Sequence, residues 1–152
     1  MVRILFVCHG NICRSPMAEF IMKDLVEQAG RSAEFSITSA ATSREELGNE
    51  VYFSAKKKLR EHGISCEGKT ARQMTRQDYR DYDLLIGMDW RNLENMRRIS
   101  GGDPEQKLHL LMKFAGKHSE VADPWYTGDF EATWQDVLEG CQGLLRFCMD
   151  QK

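Results

Sequence analysis

Residues 2–19 read VRILFVCHGNICRSPMAE, and this stretch decides the fold. Ile4-Leu5-Phe6-Val7 is a short apolar run that stops at Cys8. A polar, glycine-containing loop, His9-Gly10-Asn11-Ile12-Cys13, follows it. Arg14-Ser15-Pro16 then opens a segment with apolar residues at Met17, Phe20, Ile21 and Leu25. The pattern is that of a buried strand, a tight loop and an amphipathic helix. Ser15 is expected to cap the helix, with Pro16 in the first helical position, where its missing N–H costs nothing. A strand–loop–helix unit of this kind points loop N–H groups and the positive end of the helix at one spot, which makes an anion site.

A cysteine at the start of the loop and an arginine at its end give that anion site chemistry. Free cysteine is mostly thiol at neutral pH, with a reference pKa of about 8.5. A helix N-terminus, loop N–H groups and a nearby cation all favour the thiolate, so Cys8 is expected to act as a nucleophile. Arg14 can hold two oxygens of a tetrahedral oxyanion in a planar fork, which lysine cannot do. A phosphoryl ester suits both groups best. The competing reading makes Cys8 an inert core thiol.

Spacing alone does not single out Cys8. The segment Cys66-Glu-Gly-Lys-Thr-Ala-Arg72 repeats the same Cys-x5-Arg interval. No long strand precedes it, and neither a Ser-Pro pair nor a helical apolar stripe follows it. Context therefore selects Cys8.

Composition narrows the class. A chain of 152 residues, 41% hydrophobic and 29% charged, is expected to form one domain, residues 1–152, with its own core. A net charge of −2 and a pI near 6.1 give no electrostatic reason for nucleic-acid or anionic-membrane binding. The first apolar run is too short and too soon interrupted for a signal peptide, and no stretch approaches the ~18 residues of a membrane span. Five cysteines, an odd number, do not suggest a secreted disulfide framework, so a cytoplasmic, reducing setting is expected.

Further along, Gly30 ends the first helix, and Glu34–Ala40 reads as a second strand leading into the small, polar Ser39–Ser43 segment. Asn49 is expected to cap a helix running to about Glu61, closed by His62-Gly63, with Lys56-Lys57-Lys58 as its solvated face. Thr75 starts a short helical turn, and Asp83–Gly87 reads as a third strand. Asp89 caps a helix over Trp90–Ile99, Ser100–Pro104 is a turn cluster, and Lys107–Leu111 is a weaker strand. A final helix from Phe130 carries Trp134, Val137, Leu138, Cys141, Leu144, Leu145 and Cys148 at helical spacing. Strands alternating with helices call for an α/β fold whose parallel sheet is covered on both faces and binds ligands beyond the carboxyl ends of its strands. Cys8 ends the first strand, where such a site belongs.

The loop CHGNICRSP resembles the signature loop of the low-molecular-weight protein tyrosine phosphatases. The resemblance continues through Ser39-Ala40-Ala41-Thr42-Ser43, Ala71-Arg72-Gln73, Gly87-Met88-Asp89 and Asp123-Pro124-Trp125-Tyr126, in the family's order along most of the chain. It implies a single-domain, three-layer fold with a four-stranded sheet of order 2-1-3-4. It also implies hydrolysis of phosphotyrosine in proteins or peptides, with inorganic phosphate as product. Cys8 matches the nucleophile, Arg14 the oxyanion clamp and Asp123 the general acid and base. Residues His9 to Arg14 match the phosphate-binding loop. Ser15 matches the family's hydrogen-bond donor to the thiolate, and Asn11 the asparagine that holds the loop open, with Ser39 as its partner. Ile12, Glu45, Trp125 and Tyr126 are expected around the substrate pocket, and Gly10 is expected to allow close backbone approach. No metal or other cofactor is implied, because Arg14, the loop N–H groups and the helix terminus supply positive potential.

Cys13 lies in the same curled loop, so a reversible Cys8–Cys13 disulfide would protect Cys8 from irreversible oxidation; otherwise Cys13 is a small inward-facing residue. Two positions depart from the better-known animal members: Arg44-Glu45-Glu46 replaces a usual Trp-Asn, and Lys69 stands where a histidine commonly supports the loop asparagine. Three other readings remain: a protein arginine phosphatase, a thiol-dependent arsenate reductase of the same fold, and a non-enzymatic redox or oxyanion-sensing module built on Cys8 and Cys13.

Overall fold

The computed structural model describes residues 1–150. The first strand, β1 (Val2–Cys8), buries Ile4, Leu5, Phe6 and Val7 completely, as a central strand must. It pairs in parallel with β2 (Phe35–Ala41) on one side and β3 (Leu84–Gly87) on the other, and β3 pairs in parallel with β4 (Leu108–Leu110). The sheet order is therefore 2-1-3-4, as the resemblance implies.

Alternation along β1 divides the core into two layers. Ile4 and Phe6 face α1 (Arg14–Gln28) and α6 (Phe130–Asp150), packing with Met17, Ile21, Met22, Trp134, Val137, Cys141 and Leu144. Leu5 and Val7 face the other way, toward Met74, Tyr79, Leu93 and Met96 from α3 (Arg76–Asp81), α4 (Trp90–Ser100) and the segment before them. Cys66, Cys141 and Cys148 are buried, and all five cysteines are free thiols. Among the described residues no helix is long and apolar enough to cross a membrane.

Several helix ends follow their sequence signals. Thr75 with Asp78 and Asp89 with Asn92 form capping boxes, and Gly30, Gly63 and Gly101 take up left-handed backbone just past helix ends.

Others do not. Ser15 is not the cap of α1: the helix starts at Arg14 with Cys13 at the cap, and its first ladder bond runs from the Met17 N–H to the Cys13 carbonyl at 3.1 Å. The Ser15 hydroxyl is used on Cys8 and Asn11 instead. Pro16 still sits in the first turn, where no N–H is required. Asn49 does not cap α2 (Phe53–Glu61) either; Tyr52 precedes that helix, and the Asn49 amide donates to Glu46. The β2 strand runs one residue beyond the expected Ala40, through Ala41, which pairs with Cys8 of β1 and on its other side exchanges bonds with the Arg72 carbonyl and the Met74 N–H. Two short 3₁₀ turns, Ser32–Glu34 and Leu111–Ala115, are not read from the sequence, and neither is the one-turn helix α5 (Pro124–Thr127), although Asp123 caps it, Pro124 opens it and Gly128 closes it.

Candidate active site

The loop after β1 closes a cavity of about 410 Å³ lined by Cys8, His9, Gly10, Ile12, Cys13, Arg14, Glu45, Asp123, Trp125 and Tyr126, with Glu46, Asp89, Arg91 and Glu120. It lies beyond the carboxyl end of the central strand, where a doubly covered parallel sheet places its ligand. Cys8 reaches it as the last residue of β1, and the N-terminus of α1 points into it.

Asn11 shapes the loop. It adopts left-handed backbone, with φ of 60°, a conformation asparagine tolerates. Its side chain does not line the cavity but is buried behind it. There the amide nitrogen donates to the Ser15 hydroxyl at 2.8 Å and the Ser39 hydroxyl at 2.9 Å, and Oδ1 accepts from the Arg72 N–H at 3.3 Å. Three elements distant in sequence are thereby tied to one side chain. Ser15 Oγ lies 3.0 Å from Cys8 Sγ. Gly10 has ordinary backbone, and a Cβ there would meet Glu46 Cγ at 3.4 Å, so the folded chain itself does not demand glycine at this position.

Arg14 is buried and spends three of its five N–H donors within the protein. Nη1 donates to the Val121 carbonyl at 3.1 Å, and Nη2 donates to Asp89 at 2.9 Å and to Asp123 at 3.4 Å. Burial works against its charge, but the neighbouring Cys8 sulfur and the carboxylates of Asp89 and Asp123 outweigh it, so the guanidinium is held charged above its ordinary range. Such a cation, together with the N–H groups of the first helical turn, favours a tetrahedral dianion in front of Cys8.

Asp123 spends its two oxygens differently. Oδ1 caps α5 by accepting from the Trp125 N–H at 3.0 Å, while Oδ2 faces Arg14. The cap turns the chain so that Trp125 and Tyr126 stand exposed at the cavity mouth. Tyr52 braces Trp125 edge-on at a centroid distance of 5.4 Å and stacks on Phe130 at 6.1 Å. On the opposite rim Glu45 pairs with His9 at 2.7 Å, so His9 is not a free loop histidine but a tie between the loop and the segment after β2.

Cys13 is buried beside the nucleophile position, and burial first, then the charge on Cys8, pushes its thiol up to about 12. Cys66, with the same interval to Arg72, lines a different cavity with Lys56 and Arg60. Arg72 is committed to Asp78 at 3.0 Å. Lys69, in the place of the supporting histidine, makes no bond to Asn11; it donates to the Ser39 carbonyl at 2.9 Å and lies 3.1 Å from Glu19. The fold thus gathers every site residue read from the sequence, directly in the cavity or, for Asn11, Ser15 and Ser39, immediately behind it.

Sequence reasoning missed Asp89 as the partner of Arg14, having read it only as a helix cap, and missed Val121, Glu120, Arg91, Tyr52 and Glu19. Only Glu19 carried a usable signal, a charged residue four positions after Ser15 on the inward face of an amphipathic helix.

Residues 3–152 match the family model of the low molecular weight phosphotyrosine protein phosphatases. The chain is 37% identical over 154 residues to the low molecular weight protein-tyrosine-phosphatase YfkJ of Bacillus subtilis, covering 100% of this chain and 99% of that one. The crystal structure of YfkJ superposes with a TM-score of 0.95. It is also 37% identical to the rat low molecular weight phosphotyrosine protein phosphatase, over 93% of this chain and 92% of the relative. The crystal structure of a Drosophila arginine phosphatase, at 29% identity, covers 95% of this chain and 96% of its own with a TM-score of 0.86. With full-length sequence similarity, the 2-1-3-4 parallel sheet and the cysteine-to-arginine loop at its centre in agreement, this chain belongs to the low molecular weight phosphotyrosine protein phosphatase family.

Proposed function

We propose that this protein hydrolyses phosphotyrosine in proteins or peptides through a cysteinyl-phosphate intermediate. The observation that carries the reading is the convergence of Cys8, Arg14 and Asp123 on one cavity, with Ser15 Oγ 3.0 Å from the Cys8 sulfur. The Cys8 thiolate attacks phosphorus while the phosphorus–oxygen bond to the phenol breaks. Asp123, entering as the carboxylic acid, gives its proton to the departing phenolate oxygen. The resulting Asp123 carboxylate then takes a proton from water, whose oxygen attacks phosphorus. The phosphorus–sulfur bond breaks, the thiolate returns and inorganic phosphate leaves. Arg14 and the N–H groups of loop residues 9–14 hold the equatorial oxygens throughout, so the positive potential comes from the protein itself.

Ile12 favours a phenol over a guanidinium as leaving group, because its apolar side chain in the cavity offers no acceptor for the N–H groups of phosphoarginine. Five free cysteines fit a reducing, cytoplasmic setting and a site sensitive to oxidants, with Cys13 as partner to Cys8.

Hydrolysis of p-nitrophenyl phosphate and of a phosphotyrosine peptide, in buffer with chelator, tests the reading. Wild type is expected to turn over both. Cys8→Ser is expected to lose turnover but keep binding of vanadate or phosphate, whereas Arg14→Ala loses both, since the guanidinium and backbone, not sulfur, hold the anion. Appreciable turnover by Cys8→Ser protein would overturn the nucleophile assignment.

A further inference from the structure

Glu19 has no part in the steps above, yet it is 3% exposed within α1 and lies at the head of a buried chain of hydrogen bonds. Its Oε1 accepts the Ser39 hydroxyl at 2.6 Å and lies 3.1 Å from Lys69 Nζ, while Oε2 meets Lys23 at 2.7 Å. From Ser39 the chain passes to Asn11, then to Ser15, then to the sulfur of Cys8.

Proton counting gives this chain a direction. An ionised carboxylate can only accept, so the single hydroxyl proton of Ser39 points at Glu19 and the Ser39 oxygen is left as an acceptor. Asn11 must then present its amide nitrogen, spending one proton on Ser39 and the other on Ser15. Its Oδ1 accordingly faces the Arg72 N–H. Ser15, already accepting from Asn11, has its own proton free for Cys8. We propose that Glu19, paired with Lys69 at the oxygen that takes the Ser39 proton, is a positioning residue that sets the direction of this relay and so makes Ser15 a donor to Cys8. The proposal rests on the reading of Cys8 as nucleophile.

The opposite arrangement shows what the pair prevents. A protonated Glu19 can donate to Ser39, whose proton then turns toward Asn11. Asn11 must flip to accept it with Oδ1, and the flipped amide accepts the Ser15 proton as well. Cys8 loses its donor, and the Asn11 amide N–H faces the Arg72 N–H, donor against donor. Lys69 biases the choice because it meets Oε1, the oxygen that accepts from Ser39, whereas the more exposed Lys23 holds only Oε2. A buried carboxylate oxygen that loses its cation gains affinity for a proton. Lys69 is itself committed: its side chain is 11% exposed, and its second bond, to the Ser39 carbonyl, fixes it beside the same residue. The other charges facing these groups are Lys23 on Glu19, Arg72 near Lys69, and Arg14, Cys13 and Asp123 around Cys8.

The test follows the pH dependence of Cys8 alkylation by iodoacetamide, scored as loss of phosphatase activity, alongside the acidic limb of kcat/KM. Lys69→Met is expected to move the alkylation midpoint up by about one pH unit, a roughly tenfold slower reaction below the midpoint. Lys69→Arg restores it. Ser39→Ala, which breaks the relay but leaves both charges in place, moves the midpoint in the same direction. In a Ser15→Ala background, Lys69→Met adds nothing further, because the route to sulfur is already cut. An unchanged midpoint in Lys69→Met and Ser39→Ala overturns the relay while Cys8 stands as nucleophile. A shift of full size in the Ser15→Ala background also overturns it, showing bare charge at a distance. Wild type that keeps its activity after alkylation overturns the nucleophile reading itself.

Discussion

Asp89 and Arg14 meet across the sheet: one oxygen of the carboxylate accepts from Arg14 Nη2 at 2.9 Å, and the other accepts from the Asn92 N–H at 2.7 Å. One side chain therefore aims the Arg14 guanidinium and caps α4. Asp89→Ala should show both losses. The missing cap costs about 1 kcal/mol, which lowers Tm by roughly 2–4 °C in a chain of this size. The misaimed guanidinium should cost up to about 10² in kcat/KM. Asp89→Asn, which keeps a capping oxygen, should regain most of the stability but only part of the activity. Unchanged kcat/KM in Asp89→Ala would show that Val121 and Asp123 suffice to hold Arg14.

Asp123 Oδ1 is held by the Trp125 N–H at 3.0 Å, whereas Oδ2 has only a 3.4 Å contact with Arg14 and is the oxygen assigned to a leaving group entering the cavity. Asp123→Ala should lose about 10²–10⁴ in rate on phosphotyrosine peptides and distinctly less on aryl phosphates with acidic phenols, whose oxygens depart without a proton. Steady-state rates across a series of phenols measure this. An equal loss for every phenol would mean that Asp123 is not the proton donor.

The high thiol pKa of Cys13, pushed up to about 12, keeps it protonated and unattractive to peroxide at neutral pH. It becomes useful after Cys8 has formed a sulfenic acid. The Cys13 sulfur then bonds to the Cys8 sulfur, and the hydroxyl leaves as water with the Cys13 proton. Mild peroxide should inactivate wild type reversibly, with dithiothreitol restoring activity. Cys13→Ser should instead be lost for good as Cys8 proceeds to sulfinic acid. Mass spectrometry of the Cys8 peptide reads the outcome, and equal recovery of the two proteins would remove the protective role.

Ile12 gives the substrate test. Each guanidinium N–H left without a partner against it costs about 1–3 kcal/mol, or roughly a five- to 150-fold preference for the phenol. Wild type should therefore favour phosphotyrosine over phosphoarginine, and Ile12→Thr should narrow or invert the ratio of kcat/KM values. A wild type that already prefers phosphoarginine would change the substrate class and leave the chemistry intact.

Packing of the last helix supplies a stability test away from the site. A Cβ at Gly143 would collide with the Phe114 carbonyl oxygen and lie 2.6 Å from its carbon, both backbone atoms that cannot swing aside. Alanine normally stabilises a helix interior by about 1 kcal/mol over glycine. Here overpacking, at about 1–3 kcal/mol or more, should win. Gly143→Ala is expected to lower Tm by several degrees, and a raised Tm would show that the 3₁₀ turn Leu111–Ala115 shifts freely.

What the amino-acid order determined by itself was the local unit: the apolar run to Cys8, the loop through Asn11, the apolar stripe after Pro16, and the Thr75 and Asp89 capping boxes. All are set by interactions within a few residues, so they are legible in the chain without knowing its neighbours. Tertiary structure alone decided the rest. Asp89 and Val121 reach Arg14 from 75 and 107 residues away because β3 lies beside β1. Ser39 reaches Asn11 because β2 lies on the other side. The same pairing took Ser15 from its expected capping role. Its hydroxyl can serve the helix end or the thiol, and once Asn11 was fixed between Ser39 and Arg72 it bonded Cys8 and Asn11 instead. The Lys69–Glu19 pair lies in the same class. A lysine and a glutamate fifty positions apart carry no local sign that they will be buried together, and only the crossing of α1 behind β2 makes them partners.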